Sequence, residues 1–388
     1  MRQSSFIELD YHSLKKNISY LKKRIGNETT FVSVIKSNAY GHGIKEFLPL
    51  AESCGVDYFA VFDASEAEIA FQVKKKSTRL MIMGYIADED VEWVIENDIS
   101  FFVFNESRLH LASLIAKKLN KQALIHLECE TGLHRTGFQI EKIPELSDFI
   151  KNQDNCLFLE GLCSHLAGAE SISNYVRVKE QIEKFNSFSK QIQSYGIEPK
   201  YKHLACSAAA LTYADTRLNM VRFGIAQYGF WPSNETKMHN LLSDSTKFTQ
   251  DPLQQILTWK TEIMNIATVE KGNFVGYGNG FMASKPTKIA TVPIGYSQGY
   301  RRSLSNIGYV LIKGRKANII GTVNMNMFLV DVTSIPDINI GDEVVLIGKQ
   351  GKRRISVTSF SEMTNFINYE LLSRIPANIP RKIKGWKK

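Results

Sequence analysis

The sequence predicts an α/β protein: a (β/α)8 barrel of the TIM type followed by a mostly-β C-terminal domain. Three observations carry this. Eight apolar runs suited to buried parallel strands recur at 31–35, 58–62, 80–83, 100–104, 123–129, 158–163, 201–206 and 219–223. Segments with helical spacing separate them, and eight strand–helix units over some 230 residues match the usual length of such a barrel. After Gly229 the texture changes: a polar, turn-rich connection opens at Trp231-Pro232-Ser233-Asn234, and from about Pro252 onward the chain alternates in short strands.

Taken in order, the run Phe6-Ile7-Glu8-Leu9-Asp10 has no slot in an eight-strand count and is expected to add a strand to the second domain. Leu14, Ile18, Leu21 and Ile25 recur at helical spacing, as do Ile44, Phe47, Leu48 and Ala51 before Gly55; the stretches 64–76 and 171–195 read as further helices. Beyond the barrel, strand-like runs at 256–269, 288–294, 308–313, 317–332 and 343–347 are divided by turns such as Lys271-Gly272-Asn273 and Ile340-Gly341-Asp342. One amphipathic helix is expected around 357–371. The barrel is thus placed at 11–240 and the β domain at 241–388, with residues 1–10 joined to the latter.

Composition narrows the function classes. A chain of 388 residues with 44% apolar and 22% charged residues can bury a large core. It has no apolar stretch near the roughly 18 residues of a membrane helix, and Met1-Arg2-Gln3-Ser4-Ser5 leads into Phe6 without a signal-peptide core, so a cytoplasmic protein is expected. Its five cysteines (54, 129, 156, 163 and 206) are scattered without metal-ligand spacing and read as reduced packing residues. The net charge of +9 comes from dispersed runs such as Lys74-Lys75-Lys76 and Lys352-Arg353-Arg354, which describe solvated surface rather than a nucleic-acid stripe. That charge also favours anionic small molecules.

Lys36 ends the first barrel run, where strands of this fold meet the active-site mouth. A lysine there is a candidate Schiff-base former: its pKa falls when it is desolvated, and the turn through Asn38, Gly41 and Gly43 leaves room for a bulky aldehyde cofactor. On the local pattern alone, a solvated strand-end lysine is the commoner case. The barrel adds a check, because polar residues that do chemistry should fall at strand ends. Lys36, Glu128 to Arg135, Ser164-His165, Ser207 and Arg222 with Gly224 do so. Ser207 followed by Ala208-Ala209-Ala210, and Gly224-Ile225, lie after strands seven and eight, where such barrels often hold phosphate. Singly, His165 and His203 read as structural histidines and Ser207 as a helix cap.

Jointly these segments carry a resemblance. Phe31-Val32-Ser33-Val34-Ile35-Lys36-Ser37-Asn38-Ala39-Tyr40-Gly41-His42-Gly43 resembles the pyridoxal-phosphate attachment motif of the alanine racemase family. His203 to Ala209, Met220 to Ile225 and Ile294-Gly295-Tyr296-Ser297-Gln298-Gly299-Tyr300 are similar to other motifs of that family, and the resemblance spans Glu8 to Arg381. It implies an isomerase that interconverts L- and D-alanine with pyridoxal 5'-phosphate, supplying D-alanine for peptidoglycan. It implies Lys36 as attachment lysine and catalytic base, with Tyr40, Ser207, Gly224 and Ile225 around the phosphate. Arg222, oriented by His203, would face the pyridine nitrogen. Tyr296, held near His165, would be the opposite base, reaching the site from the second subunit of a homodimer. Arg135 and the backbone of Met325 would meet the substrate carboxylate.

Three positions depart from the family pattern. Glu128 stands where many members carry a carbamylated lysine, and being an anion already it could orient Arg135 unmodified. Asn324-Met325-Asn326 replaces a Cys-Met-Asp, with Asn326 removing an acidic charge. Ala377 stands where many members have a phosphate-contacting tyrosine. The last two leave room for a broader amino-acid racemase acting on serine or larger substrates. A pyridoxal-phosphate carrier of the single-barrel type would lack the β domain and the Tyr296 loop. A decarboxylase of related architecture would set an acid, not Arg222, against the ring nitrogen.

Overall fold

The computed structural model describes residues 3–153, 155–243, 251–359 and 368–386. They form two compact units. One comprises 13–37 with 47–255, and the other the described residues of 1–12, 38–46 and 256–388.

The first unit is the barrel. After strand β1 (Ser5–Asp10) and helix α1 (Tyr11–Ile25), its strands are β2 (Thr30–Val34), β3 (Tyr58–Val61), β4 (Arg79–Ile82), β5 (Ser100–Val103), β6 (Ala123–Glu128), β7 (Leu157–Cys163), β8 (Tyr201–His203) and β9 (Met220–Phe223). They pair in parallel in the order β8-β7-β6-β5-β4-β3-β2-β9, which is eight strands at the eight expected runs. The barrel is nearly closed: Arg222 N–H donates to the Ala205 carbonyl at 3.1 Å, and the Asn219 side chain accepts from Lys202 N–H and donates to the Lys200 carbonyl. Runs of Val, Ile, Leu and Phe bury both faces of these strands, as a parallel sheet under helices requires. Phe31 and Phe223 stack at 4.8 Å, and each buried side chain of this size contributes about 1.5–3 kcal/mol.

Helices α2 (Lys36–Tyr40), α3 (Ile44–Ser53), α4 (Ala64–Val73), α5 (Val91–Glu96), α6 (Glu106–Leu119), α7 (Ile143–Lys151), α8 (Tyr175–Ser194), α9 (Ser207–Thr212) and α10 (Asn234–Ser243) follow in chain order. Two of their starts, those of α4 and α6, are written in the sequence. Asp63 accepts from Glu66 N–H at 2.9 Å and Asn105 from Arg108 N–H at 2.8 Å, side-chain caps that contribute about 1 kcal/mol each.

In the second unit, β10 (Leu257–Glu262), β11 (Asn265–Val269), β12 (Thr287–Val292), β13 (Tyr309–Ile312), β14 (Arg315–Ile320), β15 (Phe328–Asp331), β16 (Glu343–Gln350) and β18 (Arg381–Lys384) join β1 in the order β11-β12-β15-β14-β13-β16-β10-β1-β18, with β17 (Arg353–Ile355) on β16. β1 runs antiparallel to β10 and parallel to β18. The run at 317–332 is not continuous strand: β14 and β15 are parted by a loop over 321–327 that carries Asn324-Met325-Asn326. The helix expected at 357–371 falls in part on 360–367, outside the described residues; α11 (Asn368–Ser373) lies at its end. Among the described residues, no helix is long and apolar enough to cross a membrane.

Candidate active site

Nine of the sequence-predicted residues (Lys36, Glu128, Arg135, His165, His203, Ser207, Arg222, Gly224 and Ile225) stand at the C-terminal ends of barrel strands or in the loops that follow. Lys36 follows β2, and its amine is held below its ordinary pKa, first by burial and then by the charges of Arg135 and Arg222, against the opposing pull of Glu66. His165 follows β7 and is pushed down to about 3 by burial and by Arg222, Arg135 and Lys36, so it is neutral. Three cations therefore share one neighbourhood, which suits an anionic ligand.

Arg222, on β9, is buried, and both of its terminal nitrogens are hydrogen-bonded. It donates to Nδ1 and the carbonyl of His203 and, from Nη2, to the Ser164 carbonyl at 2.8 Å. Ser207 opens α9, and its Oγ accepts from Gly224 N–H at 3.0 Å and from Ala226 N–H at 3.5 Å. With both acceptor positions engaged, its own O–H is left to donate to an anion. Ile225 follows in the same buried loop.

Glu128 ends β6, buried, with its pKa raised by burial against the hydrogen bond of Thr136 and the charges of Arg135 and Arg222. Among the described residues Glu128 and Arg135 make no ion pair within 4.0 Å, and Arg135 is exposed; the two interact through their charges. The turn that carries Arg135 is built by Glu130, which sequence reading passed over. Its carboxylate accepts the N–H groups of Gly132 and, at 2.9 Å, of His134. Gln181 on α8 braces the same region, donating to Thr131 Oγ1 and the His165 carbonyl and accepting from Ala167 N–H.

The connection after Lys36 differs in kind from the glycine turn expected. Ser37, Asn38, Ala39 and Tyr40 all have φ near +52°, a left-handed turn made without glycine. At about 1–2 kcal/mol per residue such a backbone needs support. Asn38 Oδ1 accepts from Ile44 N–H at 3.0 Å, Gly43 N–H donates to the Asn38 carbonyl at 2.9 Å, and His42 bonds two further carbonyls. Tyr40 is thereby placed one left-handed turn from Lys36 along the chain.

The remaining candidates lie in the second unit. Tyr296 N–H donates to the Asn324 carbonyl at 3.1 Å, Ser297 N–H and Oγ donate to the Met325 carbonyl, and Asn326 Nδ2 donates to Ser297 Oγ at 2.8 Å. The Tyr296 turn and the Asn324–Asn326 loop are thus one assembly. Gly295 makes it possible: a Cβ there would stand 2.1 Å from the Asn324 oxygen. Tyr296 is 43% exposed and lines a cavity of about 620 Å³ with Arg301, Arg302 and Arg374. Tyr300 is buried and stacked on Phe328 at 4.6 Å, which leaves Tyr296 as the accessible phenol of this motif. Ala377 lies in a turn whose carbonyls receive Arg381 Nη1.

Comparison with known proteins agrees with this geometry. The N-terminal domain model of alanine racemase matches residues 9–232 and the C-terminal domain model matches 256–383. The chain belongs to the alanine racemase family. Its class is that of the amino-acid racemases, which are isomerases. It is 33% identical to the alanine racemase of Leptospira interrogans over 97% of this chain and 95% of that one. It is likewise 33% identical to that of Methanococcus maripaludis, over 96% and 97%. Among solved structures, the alanine racemase of Clostridium difficile 630 superposes with a TM-score of 0.87 at 30% identity, covering 99% of this chain and 96% of the other. That of Streptomyces lavendulae gives 0.89 at 27% identity, over 100% and 98%.

Proposed function

We propose that the protein racemises alanine with pyridoxal 5'-phosphate attached at Lys36, acting in the cytoplasm as a homodimer and supplying D-alanine for peptidoglycan. The observation that carries this is the lowered pKa of the Lys36 amine beside Arg135, Arg222 and the Ser207–Gly224 loop. A lowered pKa favours an attachment lysine, and a phosphorylated aldehyde needs anion donors within the same mouth; the burial of Lys36 and the Ser207–Gly224 loop support both. Ser207 O–H and the backbone around Gly224 and Ile225, together with Tyr40, would hold the phosphate, and Arg222 the ring nitrogen. Racemase relatives whose solved structures carry cycloserine or L-Ala-P bind small amino-acid-like molecules.

The cofactor, when bound, supplies the electron sink that acidifies the substrate Cα–H. Lys36 Nζ accepts that proton on one face and returns it there. Tyr296 Oη, supplied by a second copy of the chain, serves the opposite face, so that either group removes the proton the other delivers. Arg222 cannot surrender its proton, so against a pyridine nitrogen it would act only as a hydrogen-bond donor and would leave that nitrogen unprotonated. Arg135 and the Met325 backbone orient the substrate carboxylate, and Glu128 steadies Arg135 by its charge. His165, neutral, adds no competing cation beside Lys36, Arg135 and Arg222.

Borohydride reduction followed by peptide mapping tests the attachment: label on Lys36 supports it, and label on another lysine overturns it. Chiral analysis after incubation with single L-amino acids tests the reaction, with alanine expected to racemise fastest. An enzyme that releases CO2 instead would be a decarboxylase.

A further inference from the structure

Behind Arg222 a row of polar side chains runs through the barrel interior. Arg222 Nη1 bonds His203 Nδ1; His203 Nε2 lies 2.8 Å from His126 Nδ1; His126 Nε2 lies 3.2 Å from Glu160 Oε2. All four residues are buried. Tyr58, 3.2 Å from Glu160 Oε2, and Ser100 both donate to Glu160; they are the first residues of β3 and β5, so the row ends away from the barrel mouth.

The protons in this row are fixed by its ends. Arginine has only donors, so His203 Nδ1 must accept and the proton of that ring sits on Nε2. His126 Nδ1 must then accept in turn, and its Nε2–H donates to Glu160. The reverse order would set an N–H of His203 against an N–H of Arg222. Each imidazole therefore has one donor and one acceptor in use and is neutral, and the charge that balances Arg222 along the row is the Glu160 carboxylate.

Two local features build the row. The β6–β7 ladder slips by one residue between Ile125 and His126, leaving Glu160 as the unpaired residue of a bulge, a device that re-aims a side chain. Gly161 stands where a Cβ would lie 2.0 Å from His126 Nδ1, so only glycine admits the ring. The remaining charges agree: burial holds both histidines below their ordinary pKa, while Glu160, which burial would push up, is drawn down by the hydrogen bonds from His126 and Ser100 and by the charge of Lys200. Arg79, stacked on Tyr58 at 4.2 Å, and Lys200 add positive charge at this end.

We propose that Glu160 is a second buried counter-charge of Arg222, besides Glu128, linked to it by a one-way wire through His126 and His203, and that Glu160 and His126 are positioning residues for the cofactor-facing guanidinium. This rests on the reading that Arg222 faces the cofactor ring. If the acceptor at the far end is removed, His126 has no partner for Nε2–H, its proton moves to Nδ1, and the conflict passes through His203 to Arg222.

The test uses the holoenzyme. Since Tyr58 Oη lies 3.5 Å from His126 Nε2 and can accept in place of Glu160, the variant is Glu160→Leu with Tyr58→Phe, compared with Glu160→Gln, which keeps an acceptor. The expected result is a fall in kcat of about ten- to a hundredfold with little change in KM and an altered absorption band of the bound cofactor, largely restored in Glu160→Gln. Wild-type kcat and spectrum in the double variant would overturn the proposal, because leucine fills the volume and a packing role alone tolerates it. If that variant does not fold, 15N spectra of the histidines in unmodified protein decide. Neutral Nε2–H rings at both His126 and His203 support the wire, and an Nδ1–H or doubly protonated ring at either overturns it. Borohydride label retained on Lys36 separates a failed wire from a failed cofactor assignment.

Discussion

Nδ1 of His42 stands 2.9 Å from the carbonyl oxygen of Tyr40, and equally 2.9 Å from that of Ala39. Burial holds the ring at a pKa of about 3, so it is neutral, and because carbonyls only accept, its proton is on Nδ1. One N–H thus clamps two carbonyls of the left-handed turn between Lys36 and Gly41. His42→Phe keeps the volume and removes the donor; a loss of about 1–3 kcal/mol in unfolding free energy is expected, with faster cofactor release. An unchanged urea midpoint would remove His42 from this role.

The same residue makes stability depend on pH. Unfolded, His42 binds a proton near its ordinary value of 6.5; folded, only near 3. Its contribution is therefore complete above about pH 6.5 and declines as pH falls toward 3, at about 1.4 kcal/mol per pH unit. Urea midpoints at about pH 7.5 and about pH 5 should differ less in His42→Phe than in the wild type. Equal differences would show that the histidine is not buried neutral.

Tyr296→Phe removes one proton acceptor and leaves the ring. Exchange of the α-proton should survive far better for one enantiomer of alanine than for the other, since Lys36 still serves its own face. Equal rates in both directions of exchange, at wild-type level, would sink Tyr296 as a base. The burial of Tyr300 leaves no accessible phenol beside it in the motif.

Glu128 is a carboxylate by sequence, so activity should be indifferent to added bicarbonate. Its pKa is raised by burial, so the charge that steadies Arg135 forms only as pH rises through that raised value, and kcat/KM should climb on the same limb. Glu128→Gln should lose about ten- to a hundredfold in kcat/KM and flatten the limb. A wild-type profile in that variant would falsify the assignment.

Gly161→Ala introduces a Cβ 2.0 Å from the ring of His126. The ring must move, and a cost of about 1–3 kcal/mol is expected for overpacking a closed interior. Thermal unfolding of the variant checks it, and an unshifted Tm would mean that the strand yields without strain.

Much of this was legible in the sequence. The barrel runs stand out because parallel strands buried on both faces must be almost wholly apolar, and Lys36, Ser207 and Arg222 interrupt or end such runs. His126 and Glu160 interrupt runs as well, in Ala123–Glu128 and Leu157–Cys163. A buried polar residue in a strand is an informative signal, yet what joins these two depends on a one-residue slip in the ladder that no period reveals. The left-handed turn was hidden for another reason: Ser37, Ala39 and Tyr40 have no preference for that hand, and its support comes from Asn38 and from His42, which looked like part of a glycine-rich loop. The split at 321–327 escaped notice because apolar residues flank it on both sides.

The position of β1 between β10 and β18 has a consequence for how the chain is made. Ser5–Asp10 leaves the ribosome well before its partners, Leu257–Glu262 and Arg381–Lys384. At about 5–20 residues per second, the first strand waits on the order of tens of seconds with both edges open. The barrel segments are all synthesised by residue 255 and can condense on their own contacts, whereas the sheet that holds Tyr296 is sealed only after the last strand is released. Its earliest-made strand is thus among the last to be covered, and a chaperone that shields this extended segment would act while its partners are still being made.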